Sequence, residues 1–402
     1  YEIMPSLVGS EMCIRDRLAG VLTSCKVGKS YVRPDLHLPD SLERSQDSVS
    51  FGDQDWRDIY TDATLRSLIE RALDHNKDML IAAARVKEMA AQKRISTAAL
   101  LPDIKGKVTG ERELENHGGD AFKRSDTFEA QFLVSWEVDL WGNLRWARSA
   151  SIAEYLQSIE AQRALQMTIV AEVAQAYYEL VALDTELDIV KQTLKAREEG
   201  VRLARIRFAG GLTSETSYRQ AQVELARTAT LVPDLERKIS LKENDIAYLA
   251  GEYPNKIARS RLLQEFNSPE TLPVGLPSTL LERRPDIRQA EQKLIAANAK
   301  VGVAYTNMFP RLALTGGFGS ESTSLSELLK SPYAVMEGAL LTPIFGWGKN
   351  RAALKAKKAA YEAEVHSYEK SVLEAFKETR NAIVNFNKIK DCLLYTSPSP
   401  RD

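Results

Sequence analysis

LPSTLLERRPDIRQAEQKLIAANAKVGVAYTNMFP, residues Leu276–Pro310, decides the fold, because the chain carries most of it twice. Asp78–Pro102 (DMLIAAARVKEMAAQKRISTAALLP) lies against Asp286–Pro310 without a gap, each copy running from an aspartate to a proline. Both are alanine-rich with apolar residues three and four apart, which is helical spacing, and the closing Pro102 or Pro310 forces extended chain. Alternating residues follow in both, and then a second shared signal: WGNLRWARSA at Trp141–Ala150 matches WGKNRAALKA at Trp347–Ala356, with both Trp-Gly pairs, Trp141-Gly142 and Trp347-Gly348. The two matches are offset by 208 and 206 residues, so a unit of helix, β-hairpin and long helix is duplicated.

Asp126–Leu140 (DTFEAQFLVSWEVDL) is the clearest strand. Phe128, Ala130, Phe132, Val134, Trp136, Val138 and Leu140 point one way; Thr127, Glu129, Gln131, Ser135, Glu137 and Asp139 point the other, with Leu133 the exception. Fifteen alternating residues exceed an ordinary strand of about five or six and suit a tilted membrane-spanning one. On that reading Phe128, Phe132, Val134, Trp136 and Val138 face lipid. Ile104–Glu111 pairs with this strand across a polar loop, Arg112–Ser125, and Arg311–Ser320 with Tyr333–Phe345 forms the second hairpin. Four strands cannot close a barrel, and lipid does not tolerate open sheet edges. Two copies would give eight strands and a filled barrel; three would give twelve and a lumen.

Long helices follow each hairpin. Asn143–Phe208 has no proline and only one glycine, Gly200, and its roughly 66 residues would reach about 100 Å. Such a helix is stable only against neighbours. Ala209–Ser214 turns it back: Gly210 and Gly211 supply a left-handed C-cap, Thr213 or Ser214 caps the returning helix, which ends at Leu249, and Glu215 favours its positive end.

GLPSTLLERRPDI (Gly275–Ile287, holding Arg284, Pro285 and Asp286), Phe309-Pro310 and SWEVDLWG (Ser135–Gly142) together resemble the outer membrane factors, the TolC-like lipoprotein channels of efflux pumps, over about Cys25–Lys390. The resemblance implies an α plus membrane β-barrel fold: a homotrimer whose 12-stranded barrel is continued by a long periplasmic α-helical barrel. It implies a passive exit duct for drugs or other small molecules, served by a periplasmic adaptor and an inner-membrane pump. The tip Arg207, Gly210, Gly211, Leu212, Thr213 and Ser214 matches the family segment that meets the adaptor. Leu18–Cys25 (LAGVLTSC) resembles a lipoprotein signal, with Cys25 carrying the lipid anchor and Lys26 compatible with outer-membrane sorting. A duct for type I protein secretion would keep the fold and change the client. A soluble periplasmic coiled-coil scaffold or adaptor is the alternative of another class, and it clashes with the long alternating strand.

The ends read differently. Leu7–Asp16 (LVGSEMCIRD) can be encoded by DNA whose reverse complement, in another frame, encodes Leu393–Arg401 (LLYTSPSPR), the mark of an adapter sequence translated at both ends. The expected organisation is therefore adapter sequence at 1–17, a signal remnant at 18–25, an extended strap at 26–55 and a first repeat at 56–250, with its hairpin at about 103–140 and its helical hairpin at 143–250. A linker resembling the family's equatorial region takes 251–284. The second repeat takes 285–390, with a hairpin at about 311–346, a long helix from 348 and no returning helix, and 391–402 is adapter again. Removing Arg15, Arg17 and Arg401 from 54 basic residues leaves 51, and removing Glu2, Glu11, Asp16, Asp391 and Asp402 from 55 acidic ones leaves 50. A near-neutral chain does not point to nucleic acid. His37, His75, His117 and His366 are scattered, and neither a metal-ligand spacing, a nucleophile motif nor a phosphate loop is present, so no enzyme, cofactor or metal is expected.

Overall fold

Each duplicated proline is followed at once by a strand. A computed structural model describes residues 26–36, 54–115, 118, 123–259, 281–342 and 346–396. Three helices come first: α1 (Trp56–Ile59), α2 (Ala63–His75) and α3 (Lys77–Ala98). After Pro102 come β1 (Asp103–Glu115) and β2 (Lys123–Val138), then α4 (Asn143–Ala209) and α5 (Glu215–Leu249). The second copy gives α6 (Pro285–Thr306), then β3 (Arg311–Ser322) and β4 (Pro332–Leu341) around a 3₁₀ turn at Leu325–Lys330, and α7 (Trp347–Thr396). Cys25 and the segments 1–17 and 397–402 lie outside the described residues, as do 260–280 of the linker.

The described residues divide into two units. One, drawn from 26–36, 87–158 and 287–374, holds an antiparallel sheet in the order β1-β2-β3-β4, two hairpins laid side by side. Within Arg112–Ser125, expected as a polar loop, residues 112–115 and 123–125 are strand: Arg112 pairs with Asp126, Glu113 with Ser125 and Leu114 with Arg124. The physical reason is local charge pairing, since Arg112 and Arg124 each reach the Asp126 carboxylate at 2.7 Å. The β4 strand stops at Leu341, short of the expected Phe345; residues 343–345 are not among those described.

The other unit, drawn from 54–86, 159–259, 281–286 and 375–396, is helical. Its core is a stripe from α4 (Ile169, Val170, Val173, Ala174, Tyr177, Leu180 and Val181), with residues three and four apart, packed on Leu65, Leu68, Ile69 and Ala72 of α2. Asp62 starts α2: one carboxylate oxygen accepts from the Thr64 and Leu65 amides, and the other accepts from the buried Tyr177 hydroxyl at 2.9 Å. Asn76 breaks α2 from α3 by accepting from the Asp78 and Met79 amides while its own amide donates to Leu249 O at the end of α5. Gly251 closes that end at a φ of 72°, and a Cβ there would lie 2.3 Å from His75 O.

Candidate functional site

In an antiparallel sheet, residues directly opposite one another share a face, so the register decides whether the alternation of single strands becomes a continuous surface. Here it does. Val134 stands opposite Ile104 and Gly316, Phe132 opposite Gly106 and Phe318, Trp136 opposite Leu314, and Gly316 in turn opposite Met336. One face therefore carries apolar side chains and glycine across all four strands. It is also open: Phe132 is 64 % exposed, Phe318 63 % and Met336 93 %. An apolar face left open to this extent calls for an apolar solvent.

Its height can be worked out. From Phe128 to Val138 the face runs ten steps of about 3.4 Å, and a strand tilted by about 40° then rises about 25 Å, the height of the apolar band of an outer-membrane barrel. Beyond Phe128 the same face turns to Arg112, Asp126 and Arg124, a charged belt that ends the band. At the other end, Trp136 donates from its indole nitrogen to Leu100 O at 3.1 Å, as an interfacial aromatic with one wet edge does. Among the described residues no helix is long and apolar enough to cross a membrane.

The opposite face is polar at its centre. Glu129 on β2 accepts from Lys107 and Thr109 of β1, both at 3.1 Å, from Gln131 at 2.7 Å and from the Tyr333 hydroxyl of β4 at 2.6 Å. This network joins three strands; the alternation places Glu129 and Gln131 on one side of β2 but does not pair them with Tyr333. Tyr333 lies 204 residues away and becomes its partner only because β3 and β4 fold back beside β2.

The helical tip closes as a Schellman turn. Leu212 N donates to Arg207 O and Gly211 N to Phe208 O, with Gly211 at φ 74°. Ser214 occupies the N-cap position of α5 without a side-chain bond to the helix backbone; its hydroxyl lies 3.4 Å from that of Ser217 instead. Phe208 and Tyr218 stack with centroids 6.0 Å apart, tying the two helices together below a 79 % exposed Leu212. Gly210 and Thr213 complete this turn.

The remaining sequence landmarks are joints. Pro102 and Pro310 each immediately precede a strand. Trp141 donates from its indole to Pro310 O at 2.7 Å and stacks on Phe309 at 5.0 Å, linking the exit of β2 to the entry of β3. Arg284 grips Asp286 at 2.6 Å and Glu378 at 2.7 Å, fastening the start of α6, at Pro285, to α7. Trp347 and Gly348 begin α7, with Trp347 about half exposed.

The strap is held at two points. Val27 N donates to Trp141 O, the Trp146 indole donates to Val27 O, and Lys26 lies over the Trp146 ring at 3.5 Å. Further along, Arg33 makes a paired bond to Glu291, 2.7 Å to each oxygen, and Tyr31 adds a third. Burial, then the charge of Arg145, lowers the Lys26 pKa; burial, then Glu291, raises that of Tyr31. None of Trp146, Glu291 or Tyr31 stood out in the sequence as a site.

The family model described as outer membrane efflux protein matches residues 68–252 and 276–396. Outer membrane protein OprJ of Pseudomonas aeruginosa is 32% identical over 387 residues, covering 91% of this chain and 78% of its own. The cation efflux system protein CusC of Escherichia coli is 28% identical over 381 residues, covering 93% and 83%. The open-state structure of the Neisseria gonorrhoeae MtrE outer membrane channel superposes with a TM-score of 0.83 at 27% identity, over 92% of this chain and 83% of that one. With a lipid-height apolar sheet, a duplicated helical unit and this span of similarity, the chain belongs to the outer membrane efflux protein family, whose members are conduits of the outer membrane rather than enzymes.

Proposed function

We propose that three copies of the chain close into one twelve-stranded barrel and serve as the passive exit duct of a tripartite efflux system. The observation that carries this is the four-stranded sheet with one face bearing an apolar band across all four strands, the other polar at Glu129, and edges at β1 and β4. A lipid-facing sheet has to satisfy its edges, and twelve strands is the smallest multiple of four that leaves a water-filled lumen. In that barrel Phe128, Phe132, Val134, Trp136 and Val138 face lipid, while Lys107, Glu129 and Tyr333 face water. The tip from Arg207 to Ser214 is the docking point for a periplasmic adaptor, through which an inner-membrane pump supplies the energy. Its exposed Leu212, held over a stiff stacked pair, supports that reading. Cys25 carries the lipid anchor.

The names of the relatives span cations, antibiotics and toluene on a similar chain, so cargo is chosen upstream of this duct. Native mass spectrometry of the detergent-extracted protein tests the assembly. A three-copy complex that conducts ions in a planar bilayer is expected; a monomer, or a two-copy complex, as the membrane-embedded species would sink the reading.

A further inference from the structure

The two repeats can be overlaid residue by residue, and the strap touches them where they have diverged. Trp146, which faces Lys26 and donates to Val27 O, corresponds to Ala352 in the second copy. Ser149, whose hydroxyl takes a 2.9 Å bond from Lys26, corresponds to Lys355. On α6, Glu291, which grips Arg33, corresponds to Ala83 of α3, and Asn298, which donates to Lys29 O, corresponds to Ala90. Gly302 corresponds to Arg94.

Space explains the glycine. A Cβ on Gly302 would lie 2.3 Å from the Trp146 ring, so that indole lies flat against bare α6 backbone. A Cβ on Gly28 of the strap would meet the same ring at 3.0 Å. Gly142, at φ 82°, approaches the strap itself: a Cβ there would sit 2.9 Å from the Lys26 Cα. Trp146 is thus in close contact with both a helix glycine and a strap glycine, 4 % exposed, a few residues after the Trp141 joint at the root of the sheet. Gly348, the counterpart of Gly142, has nothing within 4 Å of its would-be Cβ.

We propose that Trp146, with Gly142, Gly302 and Gly28, is a seat that fastens the N-terminal strap to the root of the membrane sheet. A lipid on Cys25, one residue before Lys26, is thereby coupled to the membrane end of the fold instead of hanging from a free tether. The coupling to lipid rests on the anchor reading above; the seat itself rests on the strap contacts. Trp146 is a positioning residue in this scheme, acting on the strap through its ring face and its indole N–H.

The test uses the full chain in isolated outer membranes, with trypsin cleavage after Lys26 and Lys29 followed by mass spectrometry. Trp146→Ala removes a cation–π contact and a hydrogen bond, and cleavage is expected about tenfold faster, with palmitate labelling of Cys25 unchanged. Trp146→Phe, which keeps a ring and loses the N–H, is expected to fall between. Gly28→Leu changes only the strap and is expected to speed cleavage as much as Trp146→Ala, so the result does not hang on how the helices tolerate that variant. Cys25→Ser is expected to leave the strap protected. Wild-type cleavage rates in both Trp146→Ala and Gly28→Leu, or equal acceleration by Cys25→Ser alone, would overturn the seat. Absence of palmitate on the wild-type chain would overturn the anchor reading, while the protease comparison still decides the seat.

Discussion

Trp141-Gly142 and Trp347-Gly348 stand at the same point of two copies of one unit, yet their surroundings differ. The first pair is built over: Trp141 bridges to Pro310, Gly142 lies under Lys26, and Trp146 holds the strap. The second starts α7 with a half-exposed tryptophan and open space at its glycine. In repeat 1 the Asp139 carboxylate also accepts from the Leu144 and Arg145 amides, capping α4; at the corresponding position repeat 2 has Phe345. Where the copies share a task, as in the sheet, they keep the same alternation. Where the strap meets one copy, at Trp146 of the first or Glu291 of the second, the counterpart in the other copy is alanine.

The shared task can be tested first, because it carries the largest effect. Phe132→Arg in repeat 1 and Met336→Arg in repeat 2 lie on the same apolar face near mid-band and are each expected to cost about 2–4 kcal/mol. Val335→Arg, one residue away on the other face, is expected to be tolerated. Folding titrations into lipid vesicles measure all three, and equal losses for Val335→Arg and Met336→Arg would break the assignment of faces. The divergence is tested by Gly142→Ala against Gly348→Ala. The first has to adopt a positive φ and displace Lys26, at about 2–3 kcal/mol; the second adds a methyl in free space at a helix start and is expected to be neutral or stabilising by about 0.5 kcal/mol. Thermal unfolding of the detergent-solubilised protein separates them, and equal shifts would mean that the two turns are alike after all.

A smaller difference is one of pH. Glu179 on α4 is bonded by Lys242 and then Gln175, which hold its carboxyl below the usual 4.5. Repeat 2 has Asn385 at the corresponding position if the Trp-Gly register runs on along α7. A depressed carboxylate pKa adds stability above the unfolded value, and that contribution disappears as pH falls through the folded value. The pair is partly exposed and therefore worth well under about 1 kcal/mol after solvent screening. Glu179→Gln is expected to flatten the loss of stability below pH 4.5 slightly, as read by urea midpoints across pH; a steeper loss in the variant would contradict this.

Much of the architecture was legible because its signals are periodic and local. The alternation from Phe128 to Val138 specifies which side chains share a face, and a proline after an apolar helix stops it wherever it stands. The Ala209–Ser214 turn was legible for the same reason, since only glycine takes φ of 74° without strain. The extension of β1 to Glu115 and of β2 back to Lys123 was not legible: charged residues read as loop until a partner strand places an aspartate opposite an arginine. Asn76 and Arg284 show the same limit at equivalent positions. Asn76 starts α3 through its own side chain, whereas Arg284, just ahead of α6, pairs with Glu378, which no local pattern near Arg284 announces. The seat at Trp146 left one trace, the mismatch of Trp146 with Ala352 between otherwise matching segments, and repeat comparison could have found it.

By itself the sequence determined the repeated unit, the strand faces, the prolines that end α3 and α6, and the glycine turn that folds α4 back on α5. Each of these depends on dihedral preference or on a period of two or 3.6 residues, properties a segment has without neighbours. Only the tertiary structure decided that the two hairpins lie edge to edge, that Glu129 meets Tyr333, and that Trp146 meets Gly302 and Gly28. Those outcomes depend on residues more than a hundred positions apart, whose meeting is set by the packing of whole helices and strands, and packing is a property of no single segment.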